Sequence, residues 1–341
     1  MDTPTLLNLP TIPYLRLRVT LRAEEPAELP PYQGSMLRGA FGHALRKLVC
    51  AAGPRQPCET CRLRRGCHYT RLFETFVDGE PPPFLRGLDT APRPYVFEPD
   101  VAHLQGPPLP WERDQGRGLG IKSGPPRYAP GDPLGFDLLL FGQAVDLAGW
   151  ALLAVEKMAE AGLGARRARF SLDRVLARNP EGGWAVLRDA GRWTGRDVPP
   201  PSEPPRNGLP GDRLLLRIQT PLRLPVRGNL ATSFRVRDLA FPMVRRVLEL
   251  ATFHVPGSAP DWTFRPLLEH AGTVRIATSD LRWLDWQRYS NRQERKVDMG
   301  GLLGSLELEG DLAPLAALLR IAEIVHVGKG ATFGLGKVEV G

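Results

Sequence analysis

The closing stretch His326-Val-Gly-Lys-Gly-Ala-Thr-Phe-Gly-Leu-Gly-Lys-Val-Glu-Val-Gly341 decides how this chain is read. Gly328, Gly330, Gly334 and Gly336 crowd one short loop, with Lys329 and Lys337 between and after them. Glycine loses more conformational freedom on folding than any other residue. Such density therefore implies dihedrals closed to other residues, or a backbone lying against another backbone. Two lysines in the loop favour a phosphate chain as the approaching partner. An amphipathic helix (Leu312, Leu315, Leu319, Ala322) precedes the loop and a short strand, Lys337 to Val340, follows it. A nucleotide P-loop runs strand, loop, helix and needs Gly-Lys-Ser/Thr, whereas here Ala331 fills the first glycine slot and Val338 follows Lys337. The dinucleotide fingerprint fails too, because Phe333 stands where its third glycine belongs. Nucleotide cofactors are set aside.

Working back from the loop, the second half reads as a strand at Arg213–Thr220 and a helix near Leu239–Thr252. Strands in Val274–Trp286 and Leu302–Leu308 follow, then the helix at 312–324 and the terminal strand. That β-α-β-β-α-β order is the ferredoxin-like pattern. Pro199, Pro200, Pro201, Pro204, Pro205 and Pro210 mark a stiff linker, dividing the chain into domains at 1–205 and 206–341. The first half offers a strand at Ile12–Glu24, a helix at Ser35–Val49, a buried strand at Phe136–Phe141 and a helix at Leu147–Ala161. A hairpin at Phe170–Arg178 and Trp184–Arg188 completes it. It fits the same plan less cleanly, because an insertion at about 50–80 and a Pro/Gly-rich stretch at 105–133 obscure the count. A length of 341 residues suits two domains of ordinary size.

Three segments resemble the CRISPR-associated endoribonucleases that process repeat RNA, of the RAMP superfamily. They are Arg288-Tyr-Ser-Asn-Arg-Gln293, Gly300-Gly-Leu-Leu-Gly304 and the terminal loop. The resemblance is specific over 273–341 and extends to 32–73, including Gly34-Ser-Met-Leu-Arg-Gly-Ala-Phe-Gly42. It implies an α+β fold of two tandem ferredoxin-like (RRM-like) domains, with a cysteine-bearing insertion in the first. It also implies RNA against the glycine loop and metal-independent cleavage at the base of a repeat hairpin. A non-catalytic RAMP subunit holding guide RNA in a CRISPR effector complex is the alternative. Implied partners are CRISPR repeat RNA and effector subunits, around a monomer or homodimer.

Composition agrees with a globular RNA binder. The chain is 42% hydrophobic and 24% charged, with formal net charge +8. No apolar run reaches the roughly 18 residues of a membrane span. Pro4, Pro10 and Pro13 break any signal-peptide core, so a cytoplasmic location is expected. Lysine supplies only six of the 45 basic residues. Arginine binds phosphate bidentately and stacks on bases; a GC-rich genome's codon bias explains the same excess.

On a helical grid, Ser35–Val49 turns Met36, Ala40, Ala44 and Leu48, beside Leu37, Phe41, Leu45 and Val49, toward a core. Ser35, Gly39, His43 and Lys47 line the other side, flanked by Arg38, Gly42 and Arg46. Each mid-helix glycine costs about 1 kcal/mol against alanine. Either Gly39 and Gly42 clear room for a ligand beside His43, or they pack against a strand under an ordinary solvated face. RNA's 2′-hydroxyl can attack its own phosphate once a base takes its proton and an acid protonates the 5′-oxygen, and imidazole suits either role. A nearby cation stabilises the developing phosphoryl charge. In the family these groups come from the first helix of the N-terminal domain and the loop before it. The resemblance thus makes His43 the base or acid, Lys47 the stabiliser and Tyr32 a partner for the hydroxyl.

RNA contacts are expected from Arg38, Arg46, Arg288, Ser290, Arg292, His326, Gly328, Lys329, Gly330, Gly334, Gly336 and Lys337. His326 either meets RNA or is a packed loop residue. Trp283, Trp286 and Tyr289, beside Arg295 and Lys296, either stack bases or belong to the core. The four cysteines, Cys50, Cys58, Cys61 and Cys67, lie within eighteen residues. The Cys58-Glu-Thr-Cys61 spacing suits two thiolates on one ion. Structural zinc is expected, with an iron–sulfur cluster as the alternative and no cofactor for catalysis.

Overall fold

A computed structural model describes residues 7–53, 55–77, 79–101, 119–120, 125–206, 211–290 and 295–341. The first sheet begins with β1 (Tyr14–Ala23), where Leu15, Leu17, Val19 and Leu21 are buried and Arg16, Arg18 and Arg22 alternate with them. That period of two puts the leucines on one face and the arginines on the other. The chain continues through α1 (Gly34–Val49), β2 (Tyr95–Pro99), β3 (Pro133–Phe141), α2 (Ala148–Ala161), β4 (Phe170–Arg178), β5 (Trp184–Asp189) and β6 (Arg192–Trp193). The sheet order β2-β3-β1-β4, extended by β5 and β6, is the ferredoxin-like order. Sequence reasoning missed β2 because all five of its residues are buried, which leaves no alternation to see.

The second domain repeats the plan: β7 (Arg213–Leu222), α3 (Val236–His254), α4 (Arg265–Ala271), β8 (Arg275–Asp285), then the hairpin β9 (Gln287–Ser290) and β10 (Arg295–Asp298). It closes with β11 (Gly301–Glu309), α5 (Ala316–Val325) and β12 (Val338–Val340), in the order β12-β7-β11-β8. Both halves are therefore ferredoxin-like. Leu119–Gly120 adds a short parallel strand at the β8 edge. Among the described residues, no helix is long and apolar enough to cross a membrane.

One apolar core lies between the first sheet and α1 and α2. The second core includes Ile12, Val96, Leu139 and Phe141 of the first domain together with α3, α5 and β7, so the domain boundary is itself a core. At this boundary His254 Nε2–H donates to the Pro92 carbonyl at 2.6 Å. Burial pushes the His254 pKa down to about 4, only partly offset by that bond. The unfolded ring takes a proton below its ordinary 6.5, while the folded ring stays neutral to about 4. The unfolded state therefore binds more protons between these values. Stability should fall by about 3 kcal/mol as pH drops from about 6.5 to about 4. His254→Gln keeps a donor but cannot titrate, so its urea midpoints at pH 7 and pH 4.5 should lie closer together than those of wild type. Equal pH dependence in the two proteins would refute the assignment.

Candidate active site

α1 sets Leu37, Phe41 and Leu45 into the core one turn apart, with the Phe41 ring 5.5 Å from Tyr95 and 5.3 Å from Phe97. His43 and Lys47 consequently emerge on the exposed face, also one turn apart. The two helix glycines serve different ends. A Cβ on Gly39 would meet nothing within 4 Å, so this side of the face is open. A Cβ on Gly42 would overlap the Phe73 ring, so the second glycine makes room for the protein's own aromatic rather than for a ligand.

The terminal loop docks on the start of this helix. The Tyr32 hydroxyl donates to the Phe333 carbonyl at 2.8 Å, and a Cβ on Gly34 would overlap the same carbonyl. The Arg38 guanidinium lies 4.5 Å above the Phe73 ring and 5.2 Å from that of Phe333. Five residues separate Arg38 from His43, about 7.5 Å of helix rise. Five positions also turn the helix by about 140°, so the loop packs at the start of α1 while His43 leaves the helix in another direction.

The loop glycines all have positive φ, from 69° at Gly336 to 88° at Gly330. A side chain at Gly334 would strike the Phe97 carbonyl, and one at Gly336 the Val327 carbonyl. Gly328 faces the Arg223 carbonyl. Thr220 Oγ1 donates to the Gly334 carbonyl at 2.7 Å and accepts the Lys337 N–H at 2.8 Å. The expectation of a close backbone approach thus holds, but the partner seen is the protein itself.

Tyr32 and His326 are buried and Lys337 is partly buried, and all three must be reassigned. Tyr32 is 2% exposed, its hydroxyl is committed to Phe333, and burial pushes its pKa well up; it cannot reach a ribose. His326 is 0% exposed, with Nε2 2.9 Å from Glu98 and Nδ1 3.0 Å from the Leu335 carbonyl. Two acceptors ask for two N–H donors, which only imidazolium has. Burial opposes that charge and, with Lys337 nearby, lowers the pKa against the pull of Glu98. Lys337 Nζ lies 2.7 Å from Glu98 and is a buried-network member rather than a free phosphate ligand. Sequence reasoning did not single out Glu98, the hub of this cluster, which also holds Arg16 at 2.8 Å.

Lys329 remains exposed on the loop. Arg46 is half-buried; it donates to the Gln56 carbonyl at 2.8 Å and lies over the Tyr69 ring. Arg288 and Ser290 fall on β9, whose pairing with β10 is clear, and Arg292 lies outside the described residues. Trp286 belongs to a small core with Tyr32, 4.9 Å between ring centroids.

The cysteines are half-buried free thiols. Cys58 and Cys67 pack against the first core, and the Arg46 cation faces Cys58 and Cys50. Burial raises the Cys58 pKa although Arg46 pulls it down. Among the described residues, no group of three or more His, Cys, Asp or Glu side chains is placed to hold an ion. The expected zinc site thus finds no support in the arrangement of the described residues.

Residues 10–200 match the AF_1859_N family model, an N-terminal domain, and 216–338 match the model of the CRISPR-associated endoribonuclease Cas6. A search of the curated proteins returns no match. A Thermus thermophilus Cas6 product complex aligns at TM-score 0.52 and 17% identity, covering 96% of this chain and 99% of that one. A partial Cas6-RT-Cas1–Cas2 complex aligns at TM-score 0.51 and 14% identity, covering 98% and 47%. These likenesses carry the tandem fold. The AF_1859_N model spans more than half of the chain, which therefore belongs to that family, and its second domain matches the CRISPR-associated endoribonuclease Cas6.

Proposed function

We propose that this chain cleaves CRISPR repeat RNA by 2′-hydroxyl attack without a metal, leaving a 2′,3′-cyclic phosphate and a 5′-hydroxyl. The observation that carries the reading is the pair His43 and Lys47, exposed one turn apart beside the open space at Gly39. His43 moves the proton and Lys47 offsets charge on the phosphoryl oxygens. Arg38, held flat by two rings, presents its edge to the backbone at the helix start. A non-catalytic, guide-RNA-holding subunit is the second reading, favoured by the internal packing of the glycine loop. Incubating the protein with a repeat hairpin in chelator separates them: cyclic-phosphate fragments support the enzyme, and intact RNA supports the subunit.

Lys329 is the loop cation left for phosphate. Lys329→Ala should weaken hairpin binding and lower the slope of log affinity against log salt by about one. An unchanged slope would remove Lys329 from the interface.

A further inference from the structure

We propose that the open face of the first domain's sheet is a second RNA-contact surface. It takes the single-stranded segment flanking the cleaved hairpin, with Trp184, Arg18 and Arg178 at its centre. The proposal rests on the endoribonuclease reading above.

The inner face of this sheet is covered by α1 and α2. The second domain covers the outer face around Val96, Leu139 and Phe141, which enter its core, and around Glu98, which meets His326 and Lys337. The rest of that outer face follows from the strand registers. Arg18 pairs with Leu176, Leu176 with Val186, Thr20 with Arg174, and Arg178 with Trp184. Directly paired residues share a face, so Leu176, Val186 and Trp184 form a half-buried apolar strip between Arg18, Arg174 and Arg178.

Two of these arginines are ordered by the indole. The Cζ of Arg18 lies 4.6 Å and that of Arg178 5.2 Å from the Trp184 ring. Stacking fixes a guanidinium plane while leaving its N–H edge for other partners. Arg18 gives Nε and Nη2 to Asp137, yet its side chain remains 52% exposed. Arg174 pairs with Asp189 and Arg22 with Asp173. Arg178, by contrast, has no carboxylate within ion-pair reach among the described residues.

An apolar strip with an indole, rimmed by flat guanidinium groups, matches unpaired RNA. Bases stack on aromatic and guanidinium planes while phosphates take the N–H edges. A hairpin stem hides its base planes and offers only phosphates. The surface lies across the sheet from α1, so it is separate from the His43 face. It suits RNA that runs on past the cut.

The test compares a minimal repeat hairpin with the same hairpin carrying a single-stranded flank, for binding and cleavage. Wild type should bind the flanked RNA more tightly. Trp184→Ala and Arg178→Glu should each lose that advantage by roughly tenfold, while Trp184→Phe keeps most of it. Binding and cleavage of the bare hairpin should stay at the wild-type level in all three. Arg178→Glu alters a surface group, so it remains informative if Trp184→Ala fails to fold. A flank that adds nothing in wild type, or that binds both variants as it binds wild type, overturns the platform and leaves the nuclease reading intact. Flank-dependent binding without cleavage of either RNA supports the platform and sinks the nuclease reading.

Discussion

Glu98→Ala should destabilise the protein by about 3–5 kcal/mol, the range for breaking a buried ion pair by removing one partner. Only 4% of the Glu98 side chain is exposed, and it meets Arg16 at 2.8 Å, Lys337 at 2.7 Å and His326 at 2.9 Å. Burial alone would raise its carboxyl pKa. The bond from His326 and the charges of Arg16, His326 and Lys337 outweigh burial and hold it well below the ordinary value. Alanine would leave His326 buried without its carboxylate and the partly exposed Lys337 unpaired on that side, while Arg16 keeps Asp137 at 2.9 Å. The damage would centre on the terminal loop, because His326 and Lys337 bracket it. Urea unfolding gives the magnitude, and limited proteolysis within 326–337 shows where the loss falls. A cost below about 1 kcal/mol would mean the network is no more than a surface pair. A depressed carboxyl stabilises the fold above its unfolded pKa and loses that contribution as pH falls through the folded value. Wild type should therefore shed this stability only below about pH 4.5, and Glu98→Ala should lack that acid limb.

Why Glu98 was invisible in the sequence, and the tandem fold was not, comes down to range. β1 and β7 alternate buried and exposed residues, and α1 repeats its apolar positions every turn, so local period reveals them. Glu98 and His326 are 228 positions apart, and nothing local to either one announces the other. The glycine loop was legible in kind: four glycines do mean a backbone approach. Which backbone approaches is a tertiary fact, settled by Phe97, Arg223 and Val327. Gly42 makes the same point, since open space and space filled by Phe73 read alike in sequence. Cys58-Glu-Thr-Cys61 has metal-binding spacing, yet spacing along the chain does not say that Arg46 will face the thiols. His43 and Lys47, by contrast, follow from helical period alone, and they emerge where that period puts them.

His43→Ala should lower cleavage of a cognate repeat hairpin by about 10²–10⁴-fold, the span of general acid–base catalysis, with hairpin affinity nearly unchanged. The side chain sits on an exposed helix face with its backbone anchored by Phe41 and Leu45, so truncation removes an imidazole without opening a cavity. Tyr32 is buried and bonded, and His326 lies in the Glu98 cluster, so neither can substitute for it. Lys47→Ala should cost less than His43→Ala, because it removes charge stabilisation while leaving the proton's route intact. Single-turnover rates at saturating protein isolate the chemical step from binding. A variant that retains wild-type turnover would take His43 out of the mechanism. It would move the search for the acid and base off α1 altogether.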